Sequence, residues 1–462
     1  SEFQIDYDVI IDNINKLLFN YEYEKKYEYN VDKLLDKIYK LLMDVINNPD
    51  LMTFEKISIL KKQVLYINNS LGIFKNKNIE MYKDDVYQVN SKINILIAFF
   101  NQIPTILNMD IINYDQLNNL LKETKEKLIK YKQWINYEVK FKNHIADNPQ
   151  KNQIIYDFYL KGLFSNSKLD YDSIYKIISS NIITLQAQIF DECLDIYKLN
   201  NDEPVWVDKQ DTVNVINYVI NNHFRTNTID NNNLILELQN EYNEINRHIA
   251  SLELKHYTIN DNIIFMESED FHIMNSFIDI NFDNCIVNTN YKKIDYNKYA
   301  LSNYLFESLI PNKEIYNSIS SNKNEIRCIE NDTYNFSLSK VLNYILINNY
   351  YKNDNLYKLN FYINLLRTNI KILSQDNYIN NRKTGSDIIA DLMEHGYMDK
   401  IESTIIFDDL KSMNTLYILD YVMYLHFINL YDKYCIIDNK YTPGEFFDRI
   451  IENGYIPYYL NN

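Results

Sequence analysis

VDKLLDKIYKLLMDVI, residues Val31–Ile46, repeats apolar side chains at intervals of three and four residues. This spacing places one apolar stripe along one face of an α-helix, as expected for a helix that packs on a core. The same period recurs along most of the chain, so we predict a mainly α, multi-helical fold. The predicted helices of the first half are Val31–Ile46, Phe54–Asn69, Asp85–Phe100, Tyr114–His144, Lys151–Leu163, Asp172–Leu199, Asp211–His223 and Leu234–His256.

The helical period gives way to short β-like runs between about residues 261 and 330. Ile263–Phe265, Phe277–Phe282 and Cys285–Val287 are rich in β-branched or aromatic residues, and Phe277–Phe282 alternates with period two. Glu325–Ile329 is a further candidate strand. We therefore predict a small β or α+β segment here and helices again after about residue 335.

A chain of 55.5 kDa is too long for one ordinary core and predicts two or three domains. The clearest break in the first half is Asn201–Pro204. We predict an N-terminal helical domain over 4–200, a domain of helices and short strands over 205–310, and a C-terminal helical domain over 311–462.

Two helix ends carry local signals. Thr442-Pro443-Gly444-Glu445 matches a capping box with Pro at the first helical position, and Gly454 would end that helix. Gly385 and Gly396 bracket a short helix over Ser386–His395. For this helix we predict Ser386 or Asp387 as the N-cap and Gly396 as the left-handed stop.

The composition is poor in glycine and proline and rich in tyrosine, with 6 Gly, 7 Pro and 42 Tyr. This bias indicates an AT-rich genome. The scarcity of glycine argues against phosphate-binding loops, and the chain contains no Walker, Rossmann, GxSxG or kinase motif. The net charge of −16 argues against a broad basic surface for DNA or an anionic membrane.

The four cysteines are far apart in sequence and do not have zinc-ligand spacing. With no signal peptide in the sequence, they predict buried, reduced thiols and an intracellular, cytoplasmic protein. Polar residues interrupt the two most apolar stretches, so no membrane contact is predicted. The sequence also predicts no cofactor and no metal site.

A basic stretch with interleaved aromatic residues runs through Lys122–Lys142. Basic side chains beside stacking rings are typical of a surface for single-stranded nucleic acid or an acidic partner. The alternative is a solvated helix face with Glu–Lys pairs above an aromatic core stripe. A second basic spot lies on a predicted loop. The candidate binding residues of the two regions are Lys130, Lys132, Trp134, Tyr137, Lys140, Lys142, Arg382 and Lys383.

Three groups of polar residues were weighed as catalytic or metal sites. Asp170 and Asp172 follow Gly162 and Ser165, whereas nucleotidyltransferases place an adjacent Gly-Ser turn before such an Asp pair, and the alternative is that Asp170 or Asp172 caps the next helix. The cluster Glu267, Glu269 and Asp270 could hold a metal or lie in a solvated loop. The third group, His248 and His256 with Glu244, spans two helical turns, so the histidines lie about 12 Å apart, too far for one metal ion.

These observations together predict a non-enzymatic, intracellular helical subunit or adaptor that binds other protein subunits, from an AT-rich virus, phage or parasite. The first alternative is a nucleic-acid-associated accessory subunit, such as a sigma-like or other viral transcription factor. The second alternative is a magnesium-dependent nucleotidyltransferase or nuclease.

Overall fold

The computed structural model confirms a mainly α, multi-helical fold. It describes residues 2–19, 35, 38–39, 41–42, 45–46, 48, 51–75, 80–107, 115–137, 140–142, 153–160, 171–199, 201–202, 209–225, 228–255, 263–267, 278–281, 284–287, 297–310, 332–412 and 417–454. Among these residues, no helix has the length and apolar character that crossing a membrane requires.

The chain divides into two compact units, one of residues 1–13 and 148–462 and the other of residues 14–147. We call them the large unit and the small unit. The domain boundaries predicted near residues 200 and 310 stay a prediction.

The small unit is a helical bundle with a short two-stranded sheet. The helical residues described between 35 and 46 pack with the later helices on one core, which includes Leu42, Leu60, Ile93 and Leu128. The elements whose bounds are described are α1 (Glu2–Phe19, which crosses the division), α2 (Thr53–Lys75), β1 (Glu80–Tyr82), α3 (Lys83–Ile106), α4 (Asp115–Tyr137) and β2 (Lys140–Lys142).

The predicted helix Tyr114–His144 is wrong at its C-terminal end. The helix stops at Tyr137, and Lys140–Lys142 forms a strand that pairs in parallel with Glu80–Tyr82. The alternation of Lys140, Phe141 and Lys142 is the period-two pattern of a strand, and Phe141 lies opposite Met81 in the register. Sequence analysis missed this signal because it is only three residues long.

The large unit is built around one long helix, α10, which contacts helices on several sides. Its largest contact is with α5, and α11 packs against it further along. The α-helices and strands of this unit whose bounds are described are α5 (Tyr171–Lys198), α6 (Lys209–Ile220), α7 (Leu234–Ala250), β3 (Ile264–Glu267), β4 (Ile278–Asn281), β5 (Asn284–Val287), α8 (Lys298–Ser308), α9 (Asp332–Asn349), α10 (Asn355–Ile379), α11 (Gly385–Gly396), α12 (Lys400–Ser412), α13 (Tyr417–Tyr431) and α14 (Pro443–Asn453).

The predicted β segment is confirmed as a three-stranded sheet of order β3-β5-β4. β5 pairs in parallel with β3 and antiparallel with β4, so Cys285 lies opposite both Phe265 and Ile280. Phe265 and Cys285 are buried. The candidate strand Glu325–Ile329 lies outside the described residues.

The capping box at the last helix is confirmed. The backbone N–H of Glu445 donates to Thr442 Oγ1 at 3.2 Å, and the N–H of Thr442 donates to Glu445 Oε2 at 2.9 Å. Gly454 follows the helix with φ of 71°. The helix predicted over Leu234–His256 ends earlier, at Ala250.

The predicted caps of the short helix α11 need correction. Its N-cap is Thr384, two residues before the predicted position, and Asp387 is the N3 partner of a second capping box. The left-handed residue is Tyr397, with φ of 53°, while Gly396 is still helical. Ser386, Asp387 and Gly396, the three residues predicted as caps, all lie within the helix.

Gly444 places the last helix directly against the end of α7. A Cβ atom at Gly444 would overlap the carbonyl oxygen of Leu252, a backbone atom that cannot move alone. Nearby, the backbone N–H of Lys255 donates to both carboxylate oxygens of the buried Asp448, at 3.0 and 2.8 Å. A residue without a side chain is therefore required where α14 meets this turn.

We expect Gly444→Ala to destabilise the protein by about 3 kcal/mol, because the added methyl group has no space beside the Leu252 backbone. Urea unfolding measures the loss. Gly396→Ala is the matched control, since its Cβ would meet only the flexible Met398 side chain, and its cost should be close to zero. Equal stability of the two variants would contradict the packing at Gly444.

Candidate functional site

A cleft of about 320 Å³ opens on the large unit between α5, α10 and α11. Its volume lies at the lower end of the range for small-molecule sites. The lining residues come from all three helices and the loop before α11, and they are Ser179, Ile182, Gln186, Ile370, Leu373, Ser374, Asn377, Lys383, Asp391 and His395.

The lining combines apolar and polar groups. Ile182, Ile370 and Leu373 supply aliphatic surface, and hydroxyl and amide side chains supply neutral hydrogen-bonding groups. Lys383, Asp391 and His395 supply the charged and titratable groups. Apolar surface with a few polar groups is the usual chemistry of a site for a small organic molecule.

A buried aspartate fixes the loop that carries Lys383. Asp376, with only 2% of its side chain exposed, accepts hydrogen bonds from Asn380 Nδ2 at 2.7 Å and Arg382 NH1 at 2.7 Å. The hydroxyl of Tyr156 donates to the same carboxylate at 3.3 Å. These charge-assisted bonds hold the loop to the end of α10.

Backbone geometry completes the turn. The N–H of Arg382 donates to the carbonyl of Asn377 at 2.8 Å, and Asn381 adopts a left-handed conformation with φ of 52°. Thr384 then starts α11 through its capping box. The backbone at Lys383 is thus fixed on one side by the Arg382–Asn377 hydrogen bond and on the other by the capping box of α11.

Lys383 and Asp391 form an ion pair in the cleft, with 2.6 Å between Nζ and Oδ2. Their side chains are 40% and 23% exposed, so solvent screens the pair only in part. His395 follows Asp391 by four residues on α11, which places both on the same helix face. The cleft therefore presents both signs of charge close together.

A second polar cluster surrounds Glu241 on α7, whose side chain is 2% exposed. The hydroxyl of Tyr357 lies 2.8 and 3.0 Å from its two carboxylate oxygens. Lys298 Nζ is 4.0 Å from Glu241 and 3.3 Å from Glu244, and 5.3 Å from the centre of the Tyr357 ring. The cluster joins α7, α8 and α10.

Burial raises the pKa of Glu241 to about 7, and the hydrogen bond from Tyr357 and the charge of Lys298 offset part of this rise. The ring of Tyr351 stacks on Tyr357 at 4.2 Å and contacts His248 edge-on at 4.9 Å. Burial lowers the pKa of His248. Glu241 therefore gains or loses a proton near neutral pH.

We expect the free energy of unfolding to fall by about 3 kcal/mol, through Glu241 alone, as the pH rises from about 4.5 to 7. In this range the folded state holds the Glu241 proton and the unfolded state has lost it, so a rise in pH favours unfolding. Glu241→Gln removes the titration and should remove this part of the pH dependence.

Urea unfolding at several pH values, compared between the wild type and the variant, measures the difference. Glu237→Gln, one turn earlier on the same helix and only partly buried, is the matched control and should follow the wild type. A Glu241→Gln curve parallel to the wild type at every pH would show that Glu241 ionises normally.

The basic stretch predicted from sequence lies in the small unit and divides between helix and strand. Lys130 is exposed, and Tyr137 is 85% exposed. Lys132 donates to Asn94 Oδ1 at 2.8 Å, and Trp134 packs partly buried against the core and contacts Tyr131 at 5.5 Å. A binding role for these residues stays a prediction, as it does for Lys140 and Lys142, which lie in β2.

The other predicted basic residues, Arg382 and Lys383, are both in ion pairs, with Asp376 and Asp391. Lys383 is the one predicted site residue among those that line the cleft. The sequence indicated a basic spot here but not its acidic partners.

The candidate metal sites have little support in the described residues. Asp172 lies in the first turn of α5 and Glu267 is exposed on β3, while Asp170, Glu269, Asp270 and His256 lie outside the described part of the chain. Within that part, no three His, Cys, Asp or Glu side chains are placed to hold a metal ion.

Sequence analysis missed both the cleft and the Glu241 cluster. Ile182 and Asp391 are distant in sequence, as are Glu241 and Tyr357, and no local motif links either pair. The only local signal was Lys383 beside Arg382 between two predicted helices.

Comparisons with known proteins support the fold. No protein-family model and no curated protein sequence matches the chain. A structure from Shewanella oneidensis, provisionally classed as a lipoprotein of unknown function, superposes with a TM-score of 0.60 at 11% identity, covering 99% of this chain and 86% of that one. A structure from Colwellia psychrerythraea, also provisionally classed as a lipoprotein, gives a TM-score of 0.58 at 13% identity, covering 90% and 76%.

These neighbours correct the functional prediction. Neither is described as an adaptor, a transcription factor, a nucleotidyltransferase or a nuclease, and neither comes from a virus. The predicted intracellular adaptor and the transcription-factor alternative are therefore wrong, and the neighbours give no support to the nucleotidyltransferase or nuclease alternative. The prediction relied on the absence of known catalytic motifs and on the codon bias of the sequence. Neither of these indicates whether the folded chain contains a cleft.

The predicted cytoplasmic location is also wrong, because proteins classed as lipoproteins are membrane-anchored or envelope-associated. The cysteine argument failed for a physical reason. Cys193, Cys285 and Cys435 are buried and form no disulfide, and burial raises the pKa of Cys193 to about 12 and that of Cys435 to about 11. Buried thiols that stay protonated react slowly with oxidants, so their presence does not require a reducing compartment.

Proposed function

We propose that the protein binds a small organic molecule in the cleft between α5, α10 and α11. The single observation that supports this function is the cleft itself: about 320 Å³, lined by aliphatic residues and by an ion pair between Lys383 on a fixed loop and Asp391 on α11. The hydrogen bonds of Asp376 fix the loop before any ligand arrives, so little ordering accompanies binding.

We further propose that the protein acts in the cell envelope, as the description of its structural neighbours as lipoproteins suggests. An envelope protein with a preformed cleft suits the capture of a small molecule outside the cytoplasm. Buried thiols are compatible with that location.

Four probes that share one branched aliphatic group and differ in charge test ligand binding: isoamyl alcohol, 4-methylpentanoate, isoamylamine and L-leucine. We expect at least one to raise the melting temperature in a concentration-dependent way, because it binds the folded state alone. Leu373→Trp fills the cleft and should abolish the shift.

Ile401→Trp is the control for the added indole. Ile401 lies on α12, is 70% exposed and does not line the cleft, so this variant should respond as the wild type does. The proposal fails if no probe shifts the melting temperature, or if Leu373→Trp responds as strongly as Ile401→Trp.

A further inference from the structure

We propose that the ligand of the cleft is a small zwitterion with an aliphatic side chain, of the chemical class of an apolar α-amino acid. This inference rests on the proposed function and specifies the ligand of the same site. Its basis is the Lys383–Asp391 ion pair, which belongs to the cleft lining together with Ile182, Ile370 and Leu373.

The ion pair discriminates between ligands by charge. A neutral apolar ligand that covers the pair removes water from both charges and gives neither a new partner. A ligand with one charge compensates one member and leaves the other in contact with a like charge or without water. A zwitterion can offer its carboxylate to Lys383 and its ammonium to Asp391, so both charges keep an ionic partner.

The distance within the pair suits neighbouring charges on the ligand. Lys383 Nζ and Asp391 Oδ2 are 2.6 Å apart, so the carboxylate and the ammonium of the ligand must be attached close together to meet both. An α-amino acid has this arrangement, because its two charged groups share one carbon atom.

The remaining lining fits the rest of such a ligand. Ile182, Ile370 and Leu373 can cover an aliphatic side chain, and transfer of that group from water favours binding. The amides of Gln186 and Asn377 can hydrogen-bond the free oxygen and N–H groups of the ligand.

The wall that carries the pair is rigid on both sides. The loop before α11 is tied to Asp376, and the N-terminus of α11 is fixed by the Thr384–Asp387 capping box. The backbone that carries Lys383 and Asp391 is therefore fixed before a ligand binds. We expect the ion pair to select among ligands by their charge and not to rearrange around each of them.

Isothermal titration calorimetry of the full chain with the same four probes tests the ligand class. L-leucine should bind at least about tenfold more tightly than 4-methylpentanoate, which lacks the ammonium, and isoamylamine, which lacks the carboxylate. Isoamyl alcohol should bind more weakly than L-leucine by a similar or larger factor.

Two near-isosteric variants identify the groups responsible. Lys383→Met should weaken L-leucine at least about tenfold and change isoamylamine much less, since that amine has no carboxylate for Lys383. Asp391→Asn should weaken L-leucine similarly and change 4-methylpentanoate much less. Circular dichroism and the melting temperature confirm that both variants are folded.

The outcomes separate the two proposals. If an analogue with one charge or none binds as tightly as L-leucine, and Leu373→Trp abolishes that binding, the zwitterion inference is overturned and the ligand-binding function stands. If none of the four probes binds, both proposals are overturned. Unchanged L-leucine affinity in Lys383→Met and Asp391→Asn also overturns the inference.

Discussion

The large unit depends on the burial of one long helix, α10, whose polar side chains must find partners inside the protein. Thr368 and Asn369 donate to backbone carbonyls one turn earlier, at 3.0 and 2.8 Å. Asp376 is satisfied by the loop that follows, and Tyr357 donates to Glu241. An unpaired polar group in this position would cost more than its hydrogen bond stabilises. The helices around α10 and the loop that follows it must therefore be placed so that the buried polar side chains of α10 have hydrogen-bond partners.

The need to satisfy the polar side chains of α10 links both polar features of the large unit, the Glu241 cluster and the loop beside the cleft. Near its N-terminal end α10 supplies Tyr357 to the Glu241 cluster, and near its C-terminal end it supplies Asp376 to the loop beside the cleft. In the Glu241 cluster, the buried carboxylate accepts a hydrogen bond from the neutral hydroxyl of Tyr357 and lies 4.0 Å from the ammonium of Lys298. At the cleft, the ion pair keeps contact with solvent. One end of α10 thus contacts a carboxylate whose charge is suppressed by burial, and the other end anchors the loop of an ion pair that remains accessible.

Sequence periodicity predicted what depends on local spacing. The apolar stripes located most helices, the alternation near Phe277–Phe282 located a sheet strand, and Thr442–Glu445 identified a capping box that forms as expected. It failed where the signal was short or long-range. Lys140–Lys142 is too brief to distinguish from the end of a helix.

The candidate site could be predicted only in fragments. The sequence marks Lys383 as basic, but its partner Asp391 lies eight residues further on, and the aliphatic lining is divided between Ile182 on the distant α5 and Ile370 and Leu373 on α10. The cytoplasmic location predicted from the cysteines was wrong for a similar reason. Their spacing along the chain does not indicate whether a thiol is exposed to oxidants. Burial, which decides both questions, is a property of the folded arrangement.

The division of the chain also has a consequence for biosynthesis. The large unit includes residues 1–13 and then nothing until residue 148, whereas the small unit is one continuous segment. During translation the small unit is complete before the partners of the first thirteen residues have left the ribosome. Those residues are made before the small unit and yet reach their native contacts after it, so for this segment the order of synthesis and the order of assembly differ.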